Sequence, residues 1–197
     1  MYSIEQRDEQ LRGTTAAITY TLGFDRAAQH LISVRMRIEN VTGDAITVVM
    51  PSWSPGSYKI RDYAGYQGNV TTWVGTGANR KSAPSKWRDK ASLVIDTQGA
   101  STVEIDYVIY AHERTVRTNH VNRFHAFLVP TAVCMYVEGR TDEIHHVMLT
   151  HNTSAWPSVS TSLSPVQAPS QQGLLLGALN YDVLADSPIE IGDHQVQ

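Results

Sequence analysis

Disulfide bonds and long apolar runs are both missing from this sequence. Its 197 residues include one cysteine, so no internal disulfide can support the fold. No apolar run approaches the roughly 18 residues that a membrane-spanning helix needs. The polar, acidic residues 1–13 also lack the charged and apolar regions of a signal peptide. We therefore expect a soluble chain that is cytoplasmic rather than secreted.

An excess of basic charge is missing as well. The formal net charge is −3, and the lysines and arginines are dispersed along the chain. Nucleic acids and anionic membranes are bound through basic stripes or patches, so we predict neither as a partner. With 42% apolar and 18% charged residues, a chain of this length can bury about 70% of its unfolded surface. We predict a single domain over residues 1–197.

Alternating apolar and polar residues recur about every dozen positions, with β-branched and aromatic side chains enriched. This pattern predicts an all-β fold, an antiparallel β-sandwich with little helix. The clearest example is residues 102–110, where Val103, Ile105, Tyr107 and Ile109 share one face. The predicted strands are 14–22, 30–39, 45–50, 69–74, 92–96, 102–111, 124–128, 132–137 and 144–150.

Glycine, proline and polar residues separate these strands. Residues 40–44 and 97–101 each contain a glycine and read as hairpin turns, so consecutive strands are predicted to pair as antiparallel neighbours. Residues 75–85 read as a solvated loop. Residues 154–173, rich in Ser, Pro and Gln, read as a functional or mobile loop, or as a crossover between sheets. The only predicted helical turn covers residues 179–185.

Residues 50–64 are the most constrained segment, with two prolines, a glycine and three aromatic residues in fifteen positions. Pro51 ends a strand, and Pro55-Gly56 is the pair that a type II turn requires. A turn does not require the remaining aromatic and charged side chains, which indicates a surface that another element packs against. The candidate residues are Trp53, Tyr58, Arg61 and Tyr63.

The same run resembles the signature of the glycyl-aminopeptidase family of zinc peptidases, metallopeptidase family sixty-one, whose members usually carry a PDZ domain. The resemblance covers nearly all of the chain. The matching residues of the signature are Pro51, Trp53, Pro55, Gly56, Ser57, Tyr58, Arg61, Tyr63 and Ala64.

In that family such residues form only the amino-terminal β domain. The resemblance therefore implies a non-catalytic domain that walls the active-site cleft of a zinc aminopeptidase and docks its catalytic domain. The whole enzyme would release amino-terminal glycine or another small residue from a peptide, using a zinc-bound water. The zinc domain and the PDZ domain are expected beyond residue 197, and we expect this chain alone to be inactive.

The residues themselves assign no catalytic, cofactor or metal site. A His-Glu-x-x-His motif places two imidazoles on one metal, but His112-Glu113 is followed by Val116 where the second histidine should stand. We interpret His120, His125, His145, His146 and His151 as surface or rim residues rather than ligands. Cys134 is expected to be an inert core thiol in a strand. The serines of the signature lack a nucleophile elbow.

Two interpretations of the signature's side chains remain open. Arg61 and Asp62 form a local ion pair that braces the turn, or Arg61 reaches a partner domain or a substrate carboxylate. Trp53, Tyr58 and Tyr63 are satellite core residues, or they form an interface that would stay exposed in the isolated domain.

Two other functions compete with the aminopeptidase domain. One is a free-standing module that binds a peptide or carbohydrate in a groove between residues 51–63 and 154–173. The other is a purely structural spacer.

Overall fold

Strands make up most of the computed structural model, which describes residues 4–167 and 173–194, with the backbone alone for residues 4–7. Two short helices, α1 (Ile4–Gly13) and α2 (Tyr181–Ala185), accompany them. The predicted all-β class with little helix is confirmed. The strands are β1 (Ile18–Gly23), β2 (Leu31–Ile38), β3 (Ala45–Val49), β4 (Gln67–Val74), β5 (Lys81–Ser82), β6 (Ser85–Trp87), β7 (Ser92–Asp96), β8 (Val103–Tyr110), β9 (His120–Val121), β10 (His125–Leu128), β11 (Tyr136–Val137), β12 (His145–Thr150), β13 (Ser158–Thr161), β14 (Ser164–Pro165), β15 (Leu174–Ala178) and β16 (Ile189–Gly192).

These strands form three sheets. The largest has the order β14-β15-β12-β1-β2-β8-β4-β5, and the two smaller ones have the orders β13-β16-β10-β9 and β11-β3-β7-β6. One contiguous hydrophobic cluster takes side chains from all three sheets. The pairs are antiparallel except for β1 and β12, which run parallel. A parallel neighbour needs a long crossover connection, and residues 24–144, more than half of the chain, separate these two strands.

Strands β2 and β8 show how the core face is chosen. On β2 the side chains of Ile32, Val34, Met36 and Ile38 are buried, while Arg35 points to the outer face. On β8 the predicted alternation is confirmed, with Val103, Ile105, Tyr107 and Ile109 in the core. The outer face carries ion pairs, including Arg35 Nε to Asp106 Oδ1 at 2.7 Å and Arg80 Nε, just before β5, to Glu104 Oε2 at 2.8 Å. Arg35 and Asp106 face each other because they are cross-strand neighbours within side-chain reach.

The two predicted hairpins are wrong, although the turns exist. Gly43 and Gly99 both have positive φ, 83° and 73°. However, β2 and β3 lie in different sheets, and so do β7 and β8. The two connections cross between sheets side by side, joined by a 3.0 Å hydrogen bond from the Val41 N–H to the Ser101 carbonyl. Alternation shows that one face of a strand is buried, but it does not say which sheet the strand joins.

The predicted strand 132–137 is wrong over most of its length. Residues Pro130–Ala132 form a 3-10 turn, and only Tyr136–Val137 pair as β11. Between them, three consecutive buried carbonyls accept hydrogen bonds from buried tyrosine hydroxyls instead of a neighbouring strand. Tyr107 donates to Val133 O at 2.7 Å, Tyr181 to Cys134 O at 2.6 Å and Tyr20 to Met135 O at 2.6 Å. Buried carbonyls need a partner, and here side chains from β8, α2 and β1 supply it.

Three other segments differ from, or refine, the sequence-based expectation. The 75–85 segment contains β5 and the start of β6, and the 154–173 segment contains β13 and β14, with residues 168–172 outside the described part. Helix α1 was not predicted. Among its residues 8–13, Leu11 is buried, and a largely polar helix shows little hydrophobic periodicity in its sequence. The helical turn at 179–185 is confirmed as α2, capped by Asn180 Oδ1, which accepts from the Val183 N–H at 2.8 Å.

Within residues 4–167 and 173–194, no helix is both long and apolar enough to span a membrane.

Candidate docking surface

Residues 52–62, hereafter the docking turn, reverse the chain directly after β3. Gly56 has φ of 73°, and the Ser57 N–H donates to the Ser54 carbonyl at 3.1 Å. Positive φ at the third position and this hydrogen bond are those of a type II turn, as the Pro55-Gly56 pair predicts. At the base of the turn, the Arg61 N–H donates to the Ser52 carbonyl at 2.5 Å. The turn is therefore closed at both its tip and its base.

Tyr63 supports the docking turn from inside the core. Its side chain is 0% exposed, and its hydroxyl is hydrogen-bonded to Ser54 Oγ and donates to the Arg117 carbonyl at 3.1 Å. Ser54 Oγ also lies 2.8 Å from Thr131 Oγ1. Of the four candidate residues, Tyr63 thus fits the core interpretation. It ties the turn to the loop at Arg117, so the two segments hold a fixed relative position.

Trp53, Tyr58 and Ile60 lie on the outer side of the turn. Tyr58 is fully exposed, Ile60 is 84% exposed and Trp53 is half exposed. Trp53 is nevertheless fixed in place, because its Nε1–H donates to the Ser57 carbonyl at 2.8 Å. Large apolar side chains in a rigid, exposed cluster mark interaction surfaces. Of the aromatic residues in the signature, Tyr63 therefore faces the core, whereas Trp53 and Tyr58 face outward.

Of the two interpretations of Arg61, the local ion pair with Asp62 is not formed. Asp62 Oδ2 instead accepts from Lys90 Nζ at 2.8 Å, and the described residues place no acidic partner on Arg61. The Nε atom of Arg61 is buried and has no hydrogen-bond partner among them. A buried donor without a partner costs free energy. The Nε–H of Arg61, at the base of the turn, therefore lacks the acceptor that would offset this cost.

Three of the five clustered histidines are buried, which corrects their interpretation as surface or rim residues. His145 is 0% exposed, and His120 and His146 are buried as well. His145 donates from Nδ1 to the Glu143 carbonyl at 2.8 Å and stacks on Tyr20. Burial lowers the pKa of His145 to about 4. The sequence carried no signal for this, because adjacent residues of a strand normally point to opposite faces and only one face is usually buried.

Cys134 is confirmed as a core residue. It is buried, and burial raises the pKa of its thiol far above the ordinary value. It lies in the irregular tyrosine-bonded segment rather than in a strand. Across residues 4–167 and 173–194, no three His, Cys, Asp or Glu side chains are grouped as a metal site would require.

The three-sheet architecture and the exposed aromatic turn define an all-β domain with a rigid apolar projection. Residues 19–193 match the Peptidase M61 N-terminal domain, and the chain belongs to this family. It therefore belongs to a family of peptidase domains, as the residues of the signature imply.

A solved structure is similar to most of this chain. An aminopeptidase N family protein from Idiomarina loihiensis is similar over 89% of this chain, with 29% sequence identity and a TM-score of 0.79. This chain covers 29% of that protein's length. Native yeast LTA4 hydrolase aligns over 90% of this chain and 29% of its own, but at 8% identity and a TM-score of 0.41, which is too distant to support an argument. No curated protein matches significantly.

Proposed function

We propose that this chain is the amino-terminal β domain of a zinc aminopeptidase, and that the docking turn packs against the catalytic domain and walls one side of the active-site cleft. The observation that carries the proposal is the exposure of Trp53, Tyr58 and Ile60 on one short turn outside the core, with Trp53 held by its hydrogen bond to the Ser57 carbonyl. Family membership supports it, as does the 29% share of the similar aminopeptidase that the chain covers. A partner from the remaining polypeptide would cover this surface.

Arg61 adds a polar element to the same proposed contact. Its buried Nε lies at the base of the docking turn without a partner in the described part of the chain. A carboxylate or carbonyl from the catalytic domain would satisfy it, and a charged hydrogen bond of this kind fixes orientation as well as adding affinity. The zinc that activates water in such enzymes would then be held by the catalytic domain. The residues described here contribute no step to that chemistry beyond positioning the domain.

The docking role predicts a loss of activity without a loss of stability. We expect Tyr58→Ser combined with Ile60→Ser to lower peptide hydrolysis by the full-length enzyme by about tenfold or more, because anchors at an interface centre carry most of its energy. The isolated chain should melt within about 2 °C of wild type, since exposed substitutions usually change stability by under 0.5 kcal/mol. Release of amino-terminal glycine from a short peptide and thermal unfolding measure the two effects.

Phe124→Ser is the matched control, because Phe124 is also a large exposed side chain but lies outside the docking turn. It should leave activity unchanged. Equal losses from the control and the double variant would contradict the docking role. A large drop in the melting temperature of the isolated chain would instead assign the two side chains to the fold.

A further inference from the structure

An open pocket of about 430 Å³ lies on one face of the sheet that contains β9, β10 and β16. Strand register builds its floor: His120 on β9 pairs with Phe127 on β10, which pairs with Glu190 on β16. His125 lies two residues before Phe127, so its side chain is on the same face. Four side chains from three strands therefore line one concave site, of a size typical for small ligands.

Three of these side chains form a hydrogen-bonded array. Glu190 Oε1 lies 2.8 Å from His125 Nδ1, and His125 Nε2 lies 3.1 Å from His120 Nδ1. Because the carboxylate accepts, His125 Nδ1 carries a proton. In a neutral array, His125 Nε2 then accepts from His120 Nδ1–H. His120 Nε2 is then the one ring nitrogen of the two histidines that has no partner inside the array.

The second wall comes from the loop before β9 and gives the pocket its electrostatic character. Arg114 lines it and is exposed, and no described acidic side chain forms an ion pair with it. Burial first, and then the positive field of His125, Arg114 and His30, lowers the pKa of His120, while Glu190 acts in the opposite direction. This field disfavours a cation. Thr115 adds a hydroxyl, and Val116 adds an apolar surface opposite Phe127.

We propose that this pocket binds the free carboxylate of an amino acid or short peptide whose last side chain is apolar. Arg114 and the Nε2–H of protonated His120 would hold the carboxylate, and Val116 with Phe127 would hold the apolar group. Arginine suits this role because its fork matches the two oxygens of a carboxylate. The pocket lies wholly within this chain, although its wall at Val116 adjoins the docking turn, where Arg117 donates to the Gly56 carbonyl at 3.3 Å. Binding of a small acid by this chain alone does not require the docking role.

Binding is linked to protonation of His120, whose pKa is lowered first by burial and then by the neighbouring positive groups. A bound carboxylate favours the charged form of this imidazole, so affinity rises as pH falls below about 6.5, and binding takes up between zero and one proton. The charged and titratable groups around His120 are His30, Arg114, His125 and Glu190. Glu190 is already engaged by His125 and limits the uptake.

The test titrates the 197-residue chain with N-acetyl-L-leucine and, as a neutral match, N-acetyl-L-leucinamide. Calorimetry in buffers of different ionisation enthalpy gives affinity and proton uptake, and imidazole NMR signals identify the histidines. We expect the acid to bind at least tenfold more tightly than the amide, with the His120 and His125 signals shifting. Arg114→Gln should weaken binding about tenfold or more, whereas Arg123→Gln, an exposed arginine outside this pocket, should not.

Each other outcome overturns the proposal. Equal affinity for acid and amide, or no binding of the acid at 10 mM, would show that no carboxylate site exists. Equal effects of the two arginine variants would show attraction to general surface charge only. Zinc shifting the same two histidine signals while the acid does not would identify a two-histidine metal site instead. His120→Gln should abolish proton uptake, so unchanged uptake in this variant also contradicts the role of His120.

Discussion

The folded chain should lose about 3 kcal/mol of stability between pH 6.5 and pH 4 through His145 alone. This side chain is fully buried, and burial lowers its pKa to about 4, against about 6.5 in the unfolded chain. The unfolded state therefore binds a proton over this interval that the folded state does not. The contribution is fully present above pH 6.5, declines as pH falls toward 4 and is constant below it. Each unit of pKa difference corresponds to 1.36 kcal/mol.

Urea unfolding at a series of pH values measures this effect, with His145→Gln as the test variant. We expect its free energy of unfolding to fall by about 3 kcal/mol less than that of wild type over the interval, whatever its absolute stability. His112→Gln, which replaces an exposed histidine, should follow the wild-type curve. Parallel curves for wild type and His145→Gln would refute the assignment, as would an NMR titration that shows His145 protonated at pH 5.5.

Tyr107→Phe is the second large expected effect, a loss of about 3 kcal/mol. The Tyr107 hydroxyl donates to the Val133 carbonyl at 2.7 Å and accepts from the Met135 N–H at 3.3 Å. Removing it leaves two buried backbone groups without this partner, at about 1–3 kcal/mol each. For a chain of this length, we expect the melting temperature to fall by about 6–12 °C. Calorimetry or circular dichroism measures the shift.

Two further variants test whether the loss of stability depends on how many buried backbone groups lose their hydrogen-bond partner. Tyr181→Phe removes a bond to a single carbonyl, Cys134 O, so its loss should be smaller, about 1–3 kcal/mol. Tyr110→Phe changes a half-exposed tyrosine on the same strand and should cost under 0.5 kcal/mol. If all three variants lost equal stability, the tyrosine hydroxyls would not be what holds residues 133–135 in place.

The contacts of these tyrosines also show which features of the fold could be predicted from the sequence. Tyr107 was correctly placed on the apolar face of 102–110, because alternation reports which side chains of a strand are buried. The partner of its hydroxyl could not be read in the same way. Residues 132–137 are apolar enough for a strand, yet tyrosines from three distant elements satisfy their carbonyls. Such contacts depend on the finished packing.

The candidate site shows the same division. Pro55 and Gly56 determined the turn locally, since proline fixes one φ and glycine permits the positive one. Tyr58 and Tyr63 are both aromatic residues of one short segment, and nothing in their neighbourhood separates them. Tertiary structure made one fully exposed and the other fully buried. The sequence likewise leaves open an ion pair between Arg61 and its neighbour Asp62. In the fold, Lys90 pairs with that carboxylate instead.

By itself, the sequence determined the all-β class, the inward face of β8, the type II turn and the family, because each depends on short-range spacing or on a local motif. Only the tertiary structure decided that consecutive strands separate into different sheets, that β1 lies parallel to β12, and that His120, His125 and Glu190 line one pocket. The physical reason is the distance along the sequence over which each effect acts. A residue's conformational preference is local, whereas strand partners and buried charges are chosen by residues far along the chain.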